Sequence, residues 1–207
     1  MQQRAQATRQ KILDAAIEEF AAHGFHGARV DVIAEKAGSN KQRIYAYYTS
    51  KEGLYAEVLR HAFLLLADEE AVLTEQLGEA GADFGARIFR HYMTFHERVP
   101  FFWRLIAWEN LEGKRHLARM AGTRDATFAR LRELYGDGQV KGRFPRAVSF
   151  ETFIFTLSAL SFFYVANQQT MSQTLKLDLA NPDVKERLTR EVLAFLSLPD
   201  TNGRELE

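Results

Sequence analysis

Residues 29–48 read RVDVIAEKAGSNKQRIYAYY, and this stretch decides the fold of the N-terminal part of the chain. Apolar residues recur at helical spacing on both sides of Gly38, and glycine tolerates the left-handed backbone of a tight turn. The pattern therefore predicts two short amphipathic helices joined by a glycine turn, which is a helix-turn-helix. Ile33 in the first helix, and Ile44 and Tyr48 in the second, would face the core.

The remaining positions of the second helix carry charged, amide and phenolic side chains. Arginine and lysine can donate to guanine edges or phosphates, glutamine can pair with adenine, and tyrosine hydroxyls commonly reach phosphates. The candidate DNA-binding residues are Lys41, Gln42, Arg43, Tyr45 and Tyr47, with Lys51 at the start of the next helix. Two alternatives stay open. In the first, Tyr45 belongs to the core, because it lies three residues before Tyr48 and so near the same helix face. In the second, the basic residues form only a solvated surface and do not contact DNA.

The composition is that of a globular protein. Of the 207 residues, 46% are hydrophobic and 26% charged, which argues against wholesale disorder. The absence of cysteine excludes disulfides, thiolate zinc sites and cysteine nucleophiles. The N-terminus lacks the apolar stretch of a signal peptide, and the most apolar segment, 152–166, is too short to span a bilayer. We therefore expect a soluble, cytoplasmic protein without a membrane partner.

The charges balance in number but not in position. The chain has 27 basic residues (Lys+Arg) and 27 acidic ones, yet residues 1–11 and 36–51 contain no acidic residue. Two acid-free basic segments on either side of a helical region suit a surface that binds phosphates.

Helical periodicity continues along the whole chain, and strand signals are nearly absent, so the sequence predicts an all-α fold. A first helix would end near Gly24, and a long helix would occupy residues 51–76. The further predicted helices are 81–98, 101–112, 114–135, 149–170 and 181–197. Gly136-Asp137-Gly138 and residues 141–146 give the clearest loop signal.

Three N-terminal stretches together resemble the TetR family of transcriptional regulators. They are ILDAAIEEFAAHGF (12–25), VDVIAEKAG (30–38) and IYAYYTSKEGL (44–54), in the family's order and at its spacing. The flanking elements make the resemblance specific, because a generic helix-turn-helix would not carry them. The rest of the chain has only the family's all-helical layout.

The resemblance implies an Ω-shaped homodimer with two small DNA-binding heads and larger ligand-binding and dimerisation bodies. Members usually repress a nearby operon until a small molecule moves the long linking helix, here 51–76. The recognition helix maps to residues 40–47. Two positions depart from the family pattern: Arg29, or Ala28, replaces a threonine that caps the first motif helix, and Ser39 replaces an apolar residue. Arg29 would replace the lost phosphate contact and joins the candidate DNA-binding residues.

These expectations give four segments. Residues 1–9 would be a flexible basic arm, and residues 10–52 the three-helix DNA-binding domain with its motif at 29–48. Residues 53–200 would be a helical-bundle domain for ligand binding and dimerisation, and residues 201–207 a C-terminal tail.

The C-terminal domain contains many aromatic residues, most of which would be core. Some would line an apolar effector pocket between helices, which is the usual form of such a site. The candidate pocket residues are His91, Phe95, His96, Trp103, Glu109, Phe128 and Asn167. A two-fold, four-helix dimer interface would use the helices at 149–170 and 181–197, with an interior helix of a monomer as the alternative. The candidate interface residues are Phe155, Ser158, Phe162, Leu188, Val192 and Phe195.

Catalytic, cofactor and metal sites are not expected. His91 and His96 are five residues apart and so diverge by about 140° around a helix, which prevents them from sharing a metal ion. No nucleophile elbow, phosphate loop or dinucleotide fingerprint occurs. We therefore predict a protein that is not an enzyme and needs no cofactor.

The sequence thus predicts a ligand-responsive, sequence-specific DNA-binding regulator. A repressor is favoured, released from a pseudo-palindromic operator by a small, largely apolar effector; an activator stays open. Its partners would be double-stranded DNA, the effector and a second copy of the chain. The alternative is a helical protein that binds small molecules or other proteins and does not read DNA.

Overall fold

The computed structural model describes residues 2–78, 81, 83–113, 116 and 122–196. Within these residues the chain forms helices and no strand, which confirms the predicted all-α class. The helices are α1 (Gln2–Gly27), α2 (Val30–Lys36), α3 (Lys41–Tyr48), α4 (Lys51–Leu77), α5 (Phe84–Arg98), α6 (Pro100–Glu112), α7 (Asp125–Val140), α8 (Phe150–Ala166), α9 (Gln168–Leu175) and α10 (Pro182–Leu196). Among them, no single helix is long and apolar enough to cross a membrane. Only α8 and α9 taken together have the length and composition of a membrane span, and the two helices are bent by 80° relative to each other.

The chain divides into two compact units. The first comprises Met1–Glu70 and Val99–Ala126, and the second comprises Ala71–Arg98 and Thr127–Glu207. The boundary therefore differs from the one expected after residue 52, because α6 belongs to the first unit together with α1 and the helix-turn-helix. The predicted tail, 201–207, lies outside the described residues.

In the first unit, α1 begins earlier than the sequence predicted. Residues 2–9, expected to be a flexible arm, form the first turns of α1. They contain no glycine or proline to stop a helix, and Thr8 Oγ1 donates to the Arg4 carbonyl at 2.9 Å. The Arg9 guanidinium lies 3.5 Å from a Glu57 carboxylate oxygen and 5.5 Å from the centre of the Tyr48 ring. Arg9 thus contacts α3 and α4, although half of its side chain stays exposed.

At its other end α1 is broken at Gly24, where α6 approaches closely. Gly24 has φ +67° and ψ −176°, so the residues after it turn away from the axis of the preceding helix. The Glu112 carboxylate of α6 accepts hydrogen bonds from the backbone N–H groups of Phe25 at 3.1 Å and His26 at 3.4 Å. One turn earlier on α6, Trp108 Nε1 donates to the Ala21 carbonyl at 3.3 Å. Side chains of α6 thus bind backbone groups on both sides of the break.

Two buried carboxylates of the first unit have polar partners in the segment between α6 and α7. Glu109 is 2% exposed and accepts from the backbone N–H of His116, whose ring Nδ1 lies 3.0 Å from a carboxylate oxygen. Glu70 of α4 is fully buried and pairs with Arg124. Such partners matter because a buried polar or charged group without one is strongly unfavourable.

The second unit is built around α5, which packs on α8 and α10. Its core includes a cluster of stacked aromatic rings. The Tyr135 ring of α7 lies 4.9 Å from that of Phe144 and 4.7 Å from that of Phe153, measured between ring centres. Phe84 of α5 joins the cluster at 5.5 Å from Phe144.

Three predicted boundaries in this part of the chain are wrong. Gly136-Asp137-Gly138 is not a loop but part of α7, because Tyr135 and Gly138 are buried there and packing overrides the weak helix propensity of glycine. Of the predicted helix 114–135, only 125–135 is helical within the described residues. The predicted helix 149–170 ends at Ala166, where Asn167 Nδ2 donates to the Phe163 carbonyl at 3.1 Å and α9 begins in a new direction.

We predict that Gly24→Ala destabilises the protein by at least about 2 kcal/mol. The positive φ is unfavourable for alanine, and the new Cβ would lie 2.6 Å from Glu112 Oε1 and 2.8 Å from the Trp108 ring. Gly38→Ala is the matched control, because Gly38 has φ +57° but open space around it. Equal losses in the two variants, measured by denaturant unfolding, would show that the close approach of α6 contributes nothing.

Candidate nucleic-acid interface

The helix-turn-helix forms as the sequence predicted. Val30, Ile33 and Ala34 of α2 are buried, and Gly38 has the expected left-handed conformation with φ +57°. The backbone N–H of Ser39 donates to the Ala34 carbonyl at 2.8 Å, which closes the turn after α2.

The second helix of the motif is fixed at both ends. Asn40 caps α3 by accepting from the backbone N–H of Arg43 at 2.8 Å. Ile44 is fully buried, and Tyr48 is buried with its hydroxyl donating to the Arg9 carbonyl at 3.0 Å. The buried side of α3 is therefore the predicted one, and α1 holds its C-terminal end.

The start of α2 is held by a residue that the motif did not reveal. Arg29 occupies the N-cap position and makes no side-chain cap, as expected from the missing threonine. Instead, the Glu19 carboxylate of α1 accepts from the Arg29 backbone N–H at 3.2 Å. Glu19 is 3% exposed, and Lys36 Nζ lies 3.5 Å from its other oxygen. The one sequence signal that could have revealed this role is that Glu19 is an acidic residue within the apolar stripe of α1.

The other departure from the family pattern leaves a polar atom without a partner. Ser39 Oγ is buried and makes no hydrogen bond to any residue that the structure describes. An apolar side chain would suit this position better, because a buried hydroxyl without a partner costs free energy.

The candidate DNA-binding side chains lie on the surface around α3. Tyr45 is 42% exposed, so its place is on the surface and not in the core. The exposed candidates are Arg29, Lys41, Gln42, Arg43 and Tyr45, and the half-buried ones are Tyr47 and Lys51. The motif thus leaves cationic, amide and phenolic side chains exposed or half-buried on α3 and at the ends of its neighbouring helices.

The cations of this group differ in their protein contacts. Lys41 Nζ lies 2.5 Å from a carboxylate oxygen of Asp31, and the hydrogen bond from Lys41 lowers the pKa of that carboxyl below its usual range. Lys51 Nζ is 3.4 Å from the His26 carbonyl oxygen and 5.0 Å from the centre of the Phe25 ring. By contrast, no ion pair joins the Arg43 guanidinium to another residue in the described part of the chain.

The candidate pocket residues are divided between the two units. Trp103 and Glu109 belong to the first unit, and Glu109 is already paired with His116. The other five lie in the second unit, at His91, Phe95, His96, Phe128 and Asn167. There the His96 ring is 6.0 Å from that of Phe162. An open cleft of about 540 Å³ in the same unit, lined by residues between 168 and 180, contains none of the candidates.

The candidate dimer residues lie on an incompletely covered face of α8 and on α10. Phe155 is 72% exposed, and Ser158, Phe162, Leu188 and Val192 are half-buried. The Phe195 side chain lies outside the described residues.

Two further apolar side chains on α8 are exposed but were not among the predicted interface residues. Leu160 and Phe163 are 37% and 50% exposed. Helical spacing could have found Phe163, because residues 155, 159 and 163 lie on one side of a helix, whereas Leu160 is about 140° around the helix from Phe155.

Comparison with known proteins gives matches over most of the chain. A family model described as "Bacterial regulatory proteins, tetR family" matches residues 12–58, and one described as "Tetracyclin repressor-like, C-terminal domain" matches residues 86–195. The HTH-type transcriptional repressor NicS of Pseudomonas putida is 33% identical over 189 residues, which cover 88% of this chain and 87% of that protein. The HTH-type transcriptional repressor SCO4008 of Streptomyces coelicolor is 36% identical over 157 residues, covering 75% and 77%.

The fold also matches solved structures. The putative transcriptional regulator SCO4942 from Streptomyces coelicolor aligns with a TM-score of 0.65 and 29% identity, covering 91% of this chain and 94% of that one. Matches to both halves of the chain, together with relatives of nearly equal length, establish the relationship. The chain belongs to the TetR family of transcriptional regulators.

Proposed function

We propose that the protein is a homodimeric repressor that binds a pseudo-palindromic operator through α3 and leaves it when a small effector binds. The observation that carries the proposal is the exposed group of basic, amide and phenolic side chains around α3, on a helix-turn-helix whose buried side is fixed by α1. Two relatives with similarity over most of their length are named as repressors. Because bacterial operators lie on chromosomal DNA, the proposed activity also implies a cytoplasmic protein.

Within the interface, phosphate and base contacts would fall to different residues. Gln42 and Arg43 lie in the exposed first turn of α3, which is the part of a recognition helix that reaches base edges. Arg43 has the geometry for bidentate donation to guanine, and Gln42 for pairing with adenine. Arg29, Lys41 and Lys51 would bind phosphates, which position the protein without reading sequence.

A second copy of the chain is the proposed partner of the apolar face of α8. Phe155 and Phe163 are exposed there, and buried apolar area is the main favourable term in subunit association. A two-fold dimer would place two recognition helices on half-sites related by the same symmetry.

The effector would be a small, largely apolar molecule held in the second unit near the aromatic and histidine side chains of α5. Its effect is a population shift: it must bind the DNA-incompetent state more tightly than the competent one by about 1–3 kcal/mol. The helix α4 contributes residues to both units and is the proposed mechanical link.

Arg43→Ala is expected to weaken operator binding by about 1–3 kcal/mol and to relax the preference for one base pair in each half-site. The measurement is an anisotropy titration against operator variants with single base changes. Arg130→Ala, which removes an exposed arginine from α7, is the control. If both variants keep the wild-type order of preference among the operator variants, Arg43 does not read a base.

Phe155→Glu is expected to shift the protein from dimer to monomer in sedimentation velocity, because it places a charge in the proposed apolar interface. Val140→Glu is the matched control, since Val140 is equally exposed, at 77%, but lies on α7. A dimer that persists in Phe155→Glu, or one that is lost equally in Val140→Glu, would argue against this face as the interface.

A further inference from the structure

An ion pair joins the two helices of the motif at the surface expected to face DNA. Asp31 lies in the first turn of α2, and Lys41 is the first residue of α3. Their Oδ1 and Nζ atoms are 2.5 Å apart, and both side chains are about half exposed, at 51% and 53%. DNA and water can therefore reach both charges.

This pairing distinguishes Lys41 from Arg43, the other cation in the first turn of α3. Arg43 has no ion-pair partner among the described residues, whereas the Lys41 charge is already matched by a carboxylate. The hydrogen bond from Lys41 holds the pKa of Asp31 below its usual range, and the Lys41 and Arg29 charges add to this effect. The carboxylate is therefore ionised at neutral pH.

A phosphate and the Asp31 carboxylate are competing ligands for the same ammonium group. If Lys41 turns to a phosphate, the protein loses the ion pair, and the carboxylate is left close to the negatively charged DNA backbone. If Lys41 keeps Asp31, one phosphate contact and its counterion release are lost. Either outcome weakens binding without regard to base sequence.

We propose that Asp31 is a determinant of DNA affinity, an internal competitor that occupies Lys41 and lowers the affinity of the motif for every duplex. The inference rests on the proposed function and deepens it. Its effect falls on the sequence-independent part of binding, so a larger share of operator affinity comes from base contacts. A repressor that binds phosphates more weakly is also released by an effector with a smaller coupling free energy between its own site and the DNA site.

The test is Asp31→Asn, which keeps the shape of the side chain and removes its charge. Binding is measured by anisotropy against two probes, the duplex from upstream of the protein's own gene and a scrambled duplex, over a series of KCl concentrations. We expect binding to both probes to tighten by about two- to five-fold. The slope of log K against log[KCl] should steepen by about 0.9, as for one added phosphate contact.

Glu35→Gln is the matched control, because Glu35 is an exposed acid on the same helix and has no ion pair with a described residue. It should change affinity much less than Asp31→Asn. In a Lys41→Met background, Asp31→Asn should raise affinity much less and should no longer steepen the salt dependence, since only the repulsion between the carboxylate and DNA is then relieved. Thermal melts confirm that every variant is folded at the assay temperature.

Three results would overturn the inference. They are weaker binding by Asp31→Asn, an equal gain in Glu35→Gln, and a gain that is undiminished in the Lys41→Met background. The first would mean that Asp31 orients Lys41 towards DNA, and the other two that only overall charge matters. Failure of the wild-type protein and of Asp31→Asn to bind any duplex would instead refute the proposed function, and the inference with it.

Discussion

The close contact between α1 and α6 at Gly24 is the constraint on which the first unit depends. A straight α1 would carry Phe25 along the helix axis and leave it unable to reach its partners. With the break, the Phe25 ring lies 5.3 Å from that of Tyr55 in α4, and the His26 carbonyl oxygen lies 3.4 Å from Lys51 Nζ. The Glu112 carboxylate binds the backbone N–H groups exposed by the break. One glycine and one carboxylate thus connect three helices.

The same helix α1 also positions the DNA-binding motif. Near its N-terminus the Arg9 carbonyl accepts the Tyr48 hydroxyl and holds the end of α3, while further along Glu19 holds the start of α2. Both contacts leave the outer side of α3 exposed. Contacts from α1 therefore help to leave the candidate DNA-binding side chains of α3 exposed.

Local patterns in the sequence predicted the motif well. The spacing of Ile33, Ile44 and Tyr48 gave the buried sides of α2 and α3, and Gly38 gave the turn, because these features depend on neighbours a few residues away. The role of Glu112 could not be predicted, since a carboxylate that binds backbone N–H groups of a distant helix has no periodic signature. The placement of α6 in the first unit, and the helical state of Gly136-Asp137-Gly138, likewise depend on tertiary packing. The proposed effector pocket has the weakest sequence basis, because core and pocket aromatic residues follow the same helical spacing.

Sequence-specific DNA binding is the central claim, and a single titration tests it most directly. The purified wild-type protein is titrated by fluorescence anisotropy against the duplex from immediately upstream of its own gene and against a scrambled duplex of equal length, at low and high salt. We expect tight binding to the upstream duplex that weakens as salt rises, and far weaker binding to the scramble. Absence of binding to either duplex, and to every duplex in a selection from random sequences, would contradict it and favour a helical ligand-binding protein that does not read DNA.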